Sequence, residues 1–298
     1  VVSAISGGSV VGALWVLHSK DWNLFSQKIE LILKEGLEAS FLNVKCLIAA
    51  VFKLGLDPDY LADVLDQKIL DGIKLVDLPE SPFLILNATE LKTGSNFKLS
   101  RTLCGTYREG GYRLENLRLS QAVAYSAAYP LTFSVKKLDL EPGRSVFLTD
   151  GGAYDCIGAN ALMPDKDEEK SILIQNCETI ITSDASFPYL ENRDGLTNSI
   201  VSGLYASYSA SSNRNRSMIY NKMYLLNSSK EIPFLGTIKM DSKHPDLKAG
   251  WSQKDLNFIN GYKTDFKPVT GKAMKYIKAR GKKSAEFIVT QYLEHLLN

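Results

Sequence analysis

Two short blocks of this chain carry residue types suited to acyl transfer. One is Val1-Val2-Ser3-Ala4-Ile5-Ser6-Gly7-Gly8-Ser9. The other is Val146-Phe147-Leu148-Thr149-Asp150-Gly151-Gly152. In the first, an apolar β-branched run ends in a serine and then becomes a small-residue helical stretch. A serine on such a strand-to-helix turn presents its hydroxyl away from the sheet. The amide after it, at a helix start, helps to hold a developing oxyanion. A strict Gly-x-Ser-x-Gly fits neither Ser6 nor Ser9. Around Ser6 the first small position is Ala4 and the second is Gly8; around Ser9 they are Gly7 and Val11. Alanine meets the need for a close strand–helix approach and valine does not. Ser6 is therefore the favoured nucleophile, with Gly7 and Gly8 as the elbow glycines and the Gly7 amide as oxyanion donor. The competing reading of this window is a Gly/Ser-rich turn without chemistry, or one that binds phosphate.

A serine nucleophile needs a base. The chain has only three histidines, His18, His244 and His295. His18 follows the elbow by about three helical turns, roughly 18 Å along the axis. His244 lies in a charged loop, and His295 is near the end. None sits at a strand end among small residues. Asp150 does, and functional residues of open α/β sheets collect at the carboxyl ends of strands. A free aspartate, with a pKa of about 3.9, is a weak base in water. Hydrogen-bonded to the hydroxyl in a desolvated cleft, it can accept the serine proton as attack proceeds. Gly151 and Gly152 leave it uncrowded and let a ligand approach the backbone. Taken alone, Asp-Gly-Gly is also an ordinary turn, and Asp155 and Asp184 are rival carboxylates.

The elements needed to position these residues follow from hydrophobic spacing. Residues 1–18 read as a strand and the elbow helix, and 21–70 as helical, with Leu24, Phe25, Ile29, Ile32, Leu33 and Leu37 at helical intervals. A helix starts at Asp57-Pro58, with proline at its first position. The apolar segment Phe41–Phe52 between them reads as a buried core helix, or as a lipid-facing cap over the site. Phe83–Thr89 reads as a buried strand and Leu117–Ala128 as an alanine-rich helix stopped at Tyr129-Pro130. Val146–Thr149 and Glu178–Asp184 read as strands with polar ends. Residues 196–225 are expected to form a polar-faced helix, followed by a strand at Met223–Leu226. Helices finish the chain, one capped at Asn260-Gly261. Strands alternating with helices argue for an α/β layered domain.

With these blocks in order, the chain resembles the patatin-like phospholipases, especially their bacterial members. Ser6-Gly7-Gly8-Ser9 is similar to the family's elbow. Phe83–Gly94 resembles its Asn-Ala-Thr-Asp-Leu…Gly strand and turn, and Leu119–Phe133 its Ala-Val-x-Ala-Ser-x-Ala-x-Pro helix. Asp150-Gly151-Gly152-Ala153-Tyr154-Asp155 resembles its Asp-Gly-Gly box, and Ser183-Asp184-Ala185-Ser186 a further block. Order and spacing hold over residues 1–190 and become diffuse beyond. The resemblance implies a Ser6–Asp150 dyad, nucleophile and general base, that needs no histidine and no metal or organic cofactor. It implies hydrolysis of lipid carboxyl esters through an acyl-enzyme. It also implies a three-layer α/β/α fold with a mainly parallel central sheet, in a single domain over 1–298. Residues from about 19 to 80 would form a helical cap and those from about 240 to 298 the C-terminal helices.

Departures are Ala4 for the first elbow glycine, Cys156 where the family often has Asn, and Ile157 where it often has Leu. The family also places a Gly-rich loop with a basic residue ahead of its elbow, and that loop supplies most of the oxyanion hole. The chain is therefore expected to be an N-terminally truncated piece, or to have an incomplete hole. A non-catalytic lipid-binding or interaction module on the same scaffold is the alternative.

Composition sets the outer bounds. The chain has 298 residues, 45% of them hydrophobic, enough for a large buried core. A net charge of only +2 gives no reason to expect nucleic acid as a partner. Cys46, Cys104, Cys156 and Cys177 form no CxxC pair and no zinc-like cluster, and read as free thiols in a reducing compartment. The sequons at Asn87 and Asn227 are discounted as chance. No run of eighteen apolar residues spans a bilayer, and the apolar N-terminus lacks the basic region of a signal peptide. A cytoplasmic or peripheral-membrane location is expected. Lys263, Lys267, Lys272, Lys275, Lys278, Arg280, Lys282 and Lys283 form a basic stretch, read as a solvated helix face or as a guide to anionic headgroups.

Overall fold

The front of the chain folds as its apolar spacing dictates. In the computed structural model, β1 spans Val2–Ile5 and α1 spans Gly7–His18, joined through the single residue Ser6. The structure describes residues 1–37, 55–108, 110–130, 132–163, 179–185, 199–230, 234–239, 245–262, 266–292 and 294. The apolar segment 41–52, Cys46, Cys177, His244, His295 and Lys263 lie outside the described residues.

Helix α2 (Trp22–Glu35) starts where the Asp21 carboxylate accepts the Leu24 amide at 3.0 Å. Helix α3 (Pro58–Leu65) has proline in its first turn, and Asp57 caps the Asp59 amide at 3.0 Å. It continues into a π-helical turn, Asp66–Leu70. Four strands follow: β2 (Leu84–Glu90), β3 (Ser95–Ser100), β4 (Cys104–Thr106) and β5 (Gly110–Tyr112). Helix α4 covers Leu119–Ser126, and β6 (Lys136–Glu141) leads into β7 (Arg144–Asp150). A 3-10 turn, Gly151–Ala153, closes the strand. Beyond it lie β8 (Thr179–Asp184), the long α5 (Ile200–Ser228), β9 (Phe234–Lys239), α6 (Pro245–Lys248), α7 (Gln253–Asn260) and α8 (Gly271–Tyr292).

The main sheet departs from the expected three-layer α/β/α arrangement with a mainly parallel sheet. Its strands run β5-β4-β3-β2-β7-β6, with β1 also on β2. Only β1–β2 is parallel in it; the pairs β2–β3, β2–β7, β3–β4, β4–β5 and β6–β7 are antiparallel. The other parallel pair among the described residues is the separate two-stranded sheet β8–β9. The reason is the length of the connections. A parallel crossover needs a dozen or more residues, whereas a tight turn can join only antiparallel strands. Here β2 turns into β3 through Leu91–Gly94, and β6 into β7 through Pro142-Gly143; Gly94 and Gly143 have φ of 67° and 80°, which favour glycine. These hairpins interrupt the strand–helix alternation.

The edges of β2 create the site. Strand β3 lies along one edge, from Ile85↔Ser100 to Glu90↔Ser95. The other edge is divided between two strands. β1 takes the first half in parallel, from Val2↔Leu84 to Ile5↔Asn87. β7 takes the second half antiparallel, from Glu90↔Leu148 to Ala88↔Asp150. The two strands therefore meet end to end, both by their carboxyl ends, at Asn87–Ala88. Ser6 is the next residue after one, and Asp150 is the last residue of the other.

Helix α1 packs on this junction through its smallest residue. A Cβ on Gly12 would lie 2.8 Å from Ala4 Cβ, so Gly12 makes the room that Ala4 uses. The largest core gathers Leu14, Leu61, Leu65, Leu86, Phe97, Leu99, Val123 and Leu148 with others from the first half of the chain, and Phe266 packs against it. A second cluster contains Ile157, Met163, Ile180, Ile219, Met223 and Leu226. The strand expected at Met223–Leu226 is instead the end of α5. Ile219, Met223 and Leu226 recur at helical intervals and bury one face of a continuous helix.

Candidate active site

Ser6 sits at a backbone conformation that side chains rarely adopt, with φ 50° and ψ −133°. Such a position costs on the order of 1–3 kcal/mol and persists only where the surroundings enforce it. They do so through the whole residue. The Ser6 amide donates to Ser126 Oγ at 3.2 Å. Its carbonyl accepts the Ser9 amide at 2.9 Å. Its hydroxyl donates to Asp150 Oδ2 at 2.8 Å. Gly7 and Gly8 begin α1 and are exposed. Their amides belong to the helical first turn, which leaves N–H groups without partners inside the helix. A Cβ on either glycine would meet no atom within 4 Å, so the space on the Cβ side of these residues is open. The close strand–helix approach expected at Gly8 occurs instead at Gly12.

Asp150 is 2% exposed and has both carboxylate oxygens engaged. Oδ2 accepts from Ser6, and Oδ1 accepts the Gly152 amide at 2.7 Å. Burial pushes its pKa from 3.8 up to about 6, against the lowering effect of these two hydrogen bonds. The backbone around it is fixed as well. The Asp150 amide donates to the Ala128 carbonyl at 3.0 Å, and Thr89 Oγ1 donates to the Asp150 carbonyl at 2.9 Å. Gly151 is sterically required, because a Cβ there would lie 2.3 Å from the Asn87 carbonyl oxygen and 2.8 Å from Ile5 Cγ1.

Ser6 and Ser9 differ in burial. Ser9 is fully buried, and its hydroxyl lies 2.7 Å from Ser126 Oγ. Ser126 donates its one proton to the Asn87 carbonyl at 2.6 Å. Ser9 must therefore be the donor to Ser126, whose oxygen also accepts the Ser6 amide. Ser126 is thus saturated, with one bond donated and two accepted, and Ser9 serves as a packing hydroxyl.

The rival carboxylates have other work. Asp155 accepts the amides of Ile157, Gly158 and Asn160 at 2.7, 2.8 and 2.8 Å, which folds the loop after the Asp-Gly-Gly box. Asp184 accepts from the Tyr220 hydroxyl at 2.6 Å and lies 3.8 Å from the buried Arg216 guanidinium. His18 stands at the far end of α1 with a buried Nε2 that finds no hydrogen-bond partner among the described residues, and burial lowers its pKa.

No family model matches the chain, and no curated protein matches it.

Three contributors to the site were given no role by the sequence: Asn87 and Ser126, which fall inside two of the motif blocks, and Tyr208, which falls in none. Asn87 donates through Nδ2 to Ser3 Oγ at 2.9 Å and to the Ala4 carbonyl at 3.0 Å, tying β1 to β2 beside the elbow. An amide inside a fully buried strand is a signal in itself, since buried polar groups need partners. Ser126 could be sensed as a hydroxyl among alanines, though not its partners. Tyr208, on α5, places its hydroxyl 3.6 Å from the position of a Cβ on Gly152.

Cys156 is a free thiol whose Sγ lies 2.8 Å from Ser212 Oγ, and burial raises its pKa, which keeps it protonated. Among the described residues, no group of three or more His, Cys, Asp or Glu side chains is arranged to hold a metal ion. Among them, too, no helix is long and apolar enough to cross a membrane. Several members of the basic stretch are engaged within the chain. Arg280 is 1% exposed and donates to the Leu247 carbonyl, Lys278 pairs with Glu30, and Lys272 lies 5.3 Å from the Phe258 and Tyr276 ring centres.

Proposed function

We propose that this chain is a serine acyl hydrolase that cleaves lipid carboxyl esters with a Ser6–Asp150 dyad. The observation that carries the reading is the 2.8 Å hydrogen bond from the strained Ser6 to a buried carboxylate with an elevated pKa. Ser6 Oγ attacks the acyl carbonyl carbon while its proton passes to Asp150 Oδ2. The negative charge that develops on the carbonyl oxygen is met by the Gly7 amide at the positive end of α1. Collapse of the tetrahedral species breaks the bond to the alcohol, which takes the proton back from Asp150. Water, activated by the same carboxylate, then releases the acid and restores Ser6. A pKa near 6 suits both halves of this cycle, because the base must accept a proton and return it near neutral pH. The choice of lipid esters follows from the resemblance of the motif blocks to the patatin-like phospholipases.

The test is covalent labelling of Ser6 by a fluorophosphonate, read by intact mass, together with ester turnover. Ser6→Ala is expected to abolish labelling, and Ser6→Ala and Asp150→Asn each to lower turnover by about 10³-fold or more. Near-normal turnover in Asp150→Asn would sink the dyad. Absence of both labelling and turnover in the native protein would favour a non-catalytic lipid-binding module.

A further inference from the structure

We infer that Tyr208 is the hydrogen-bond donor to the departing alcohol oxygen in the acylation step, an inference that rests on the acyl-hydrolase reading above. The placement of the phenol is the first ground. A Cβ on Gly152 would lie 2.8 Å from Asp150 Oδ1 and 3.6 Å from the Tyr208 hydroxyl, so carboxylate and phenol flank the same face of Gly152. That face is opposite in role to the α1 N-terminus. The oxyanion belongs beside the Gly7 amide, and the leaving oxygen must approach the carboxylate that returns the proton. Tyr208 stands on the Oδ1 side of that carboxylate, beside the oxygen that accepts the Gly152 amide.

The second ground is that the phenol is held but not consumed. Helix α5 is fastened to the Asp-Gly-Gly loop on the turns after Tyr208. The Ser212 hydroxyl donates to the Gly152 carbonyl at 3.2 Å, and Asn215 Nδ2 donates to the Ala153 carbonyl at 2.8 Å. Residue 208 is one helical turn before Ser212 and faces the same way. Its ring is braced edge-on by Tyr129, with centroids 5.4 Å apart and an interplanar angle of 89°. Among the described residues the hydroxyl has no hydrogen-bond partner. Burial and the charge of Asp150 push the phenol's pKa up, so it remains a neutral donor.

In the step itself, the acyl carbon–oxygen bond breaks and its electron pair goes to the alcohol oxygen. The proton that Asp150 took from Ser6 moves to that oxygen. Tyr208 donates a hydrogen bond to the same oxygen and keeps its own proton, so the balance closes without a further reactant.

The experiment compares the native protein with Tyr208→Phe on ethyl butyrate and para-nitrophenyl butyrate, which share an acyl group and differ in leaving group. The value of kcat/KM reports acylation even when deacylation limits kcat. The variant is expected to lose about tenfold or more on the ethyl ester and to stay within about twofold on the nitrophenyl ester, whose leaving group needs no donor. Ser6 labelling by a fluorophosphonate, which expels fluoride, should proceed at an unchanged rate. Equal losses on both esters, or no loss on the ethyl ester, overturn the inference while leaving the dyad standing. A native protein that turns over neither ester and resists labelling overturns the hydrolase reading, and this inference with it.

Discussion

At Asp150 the burial that raises the carboxylate's basicity also makes its ionised form costly to the fold. Its pKa is 3.8 ordinarily and about 6 in the folded chain. A group whose folded value is the higher one favours the fold fully below the unfolded value. That favour is lost as pH rises through the folded value. The expected outcome is that Asp150→Asn melts above the native protein at pH 8, by up to about 3 kcal/mol, and that the difference closes as pH falls below 4. Asparagine can still accept the Gly152 amide through Oδ1. Activity follows the opposite sign: kcat/KM should fall as pH drops through about 6, where the base is protonated. A pH–rate profile beside a pH series of thermal melts checks both halves. Ser6 and Asp150 were legible in the sequence because a strand, a turn and small residues surround each of them locally. Tyr208 was not, since its relation to Gly152 exists only once α5 is docked.

Among the elements, the junction of β1, β2 and β7 depends on where glycines stand. A Cβ at Gly151 would strike the Asn87 carbonyl oxygen, whereas one at Gly8 would meet nothing within 4 Å. Gly151→Ala is therefore expected to push β7 off β2, losing on the order of 1–3 kcal/mol and most Ser6 labelling. Gly8→Ala, on an exposed helical residue, should be neutral or up to about 1 kcal/mol stabilising. Thermal melts of the two single variants decide it. Elements with strong one-dimensional signals were readable: the elbow, the Pro58 helix start, the all-buried Leu84–Glu90 strand and the Asp-Gly-Gly strand end. The short hairpin strands β3 to β6 were not, because Ser-Asn-Phe-Lys-Leu-Ser or Gly-Gly-Tyr owes its extended form to its neighbours. The Met223–Leu226 run misled because four apolar-rich residues look alike in either state until Ile219 supplies the helical period.

In the whole molecule, the second core is held by Asp184, Arg216 and Tyr220 rather than by the dyad. Asp184→Ala removes the carboxylate that accepts the Tyr220 hydroxyl and stands 3.8 Å from the buried Arg216 guanidinium, and is expected to cost about 3–5 kcal/mol. Calorimetry should show that loss, while the midpoint of the pH–rate profile remains at about 6. Global topology was the least legible scale. Alternating strand and helix signals suggest a parallel sheet, yet pairing is set by which connections are too short to cross over. The end-to-end meeting of β1 and β7 has a consequence for biosynthesis. Ser6 and Asp150 lie 144 residues apart in sequence. At roughly 5–20 residues per second, the ribosome delivers the serine on the order of ten seconds before its partner. Throughout that interval the nascent chain carries an ordinary alcohol, with no base to activate it. On the proposed reading the dyad is assembled only when β7 takes its place on the sheet, so an unfinished or misfolded copy would carry a serine without its base.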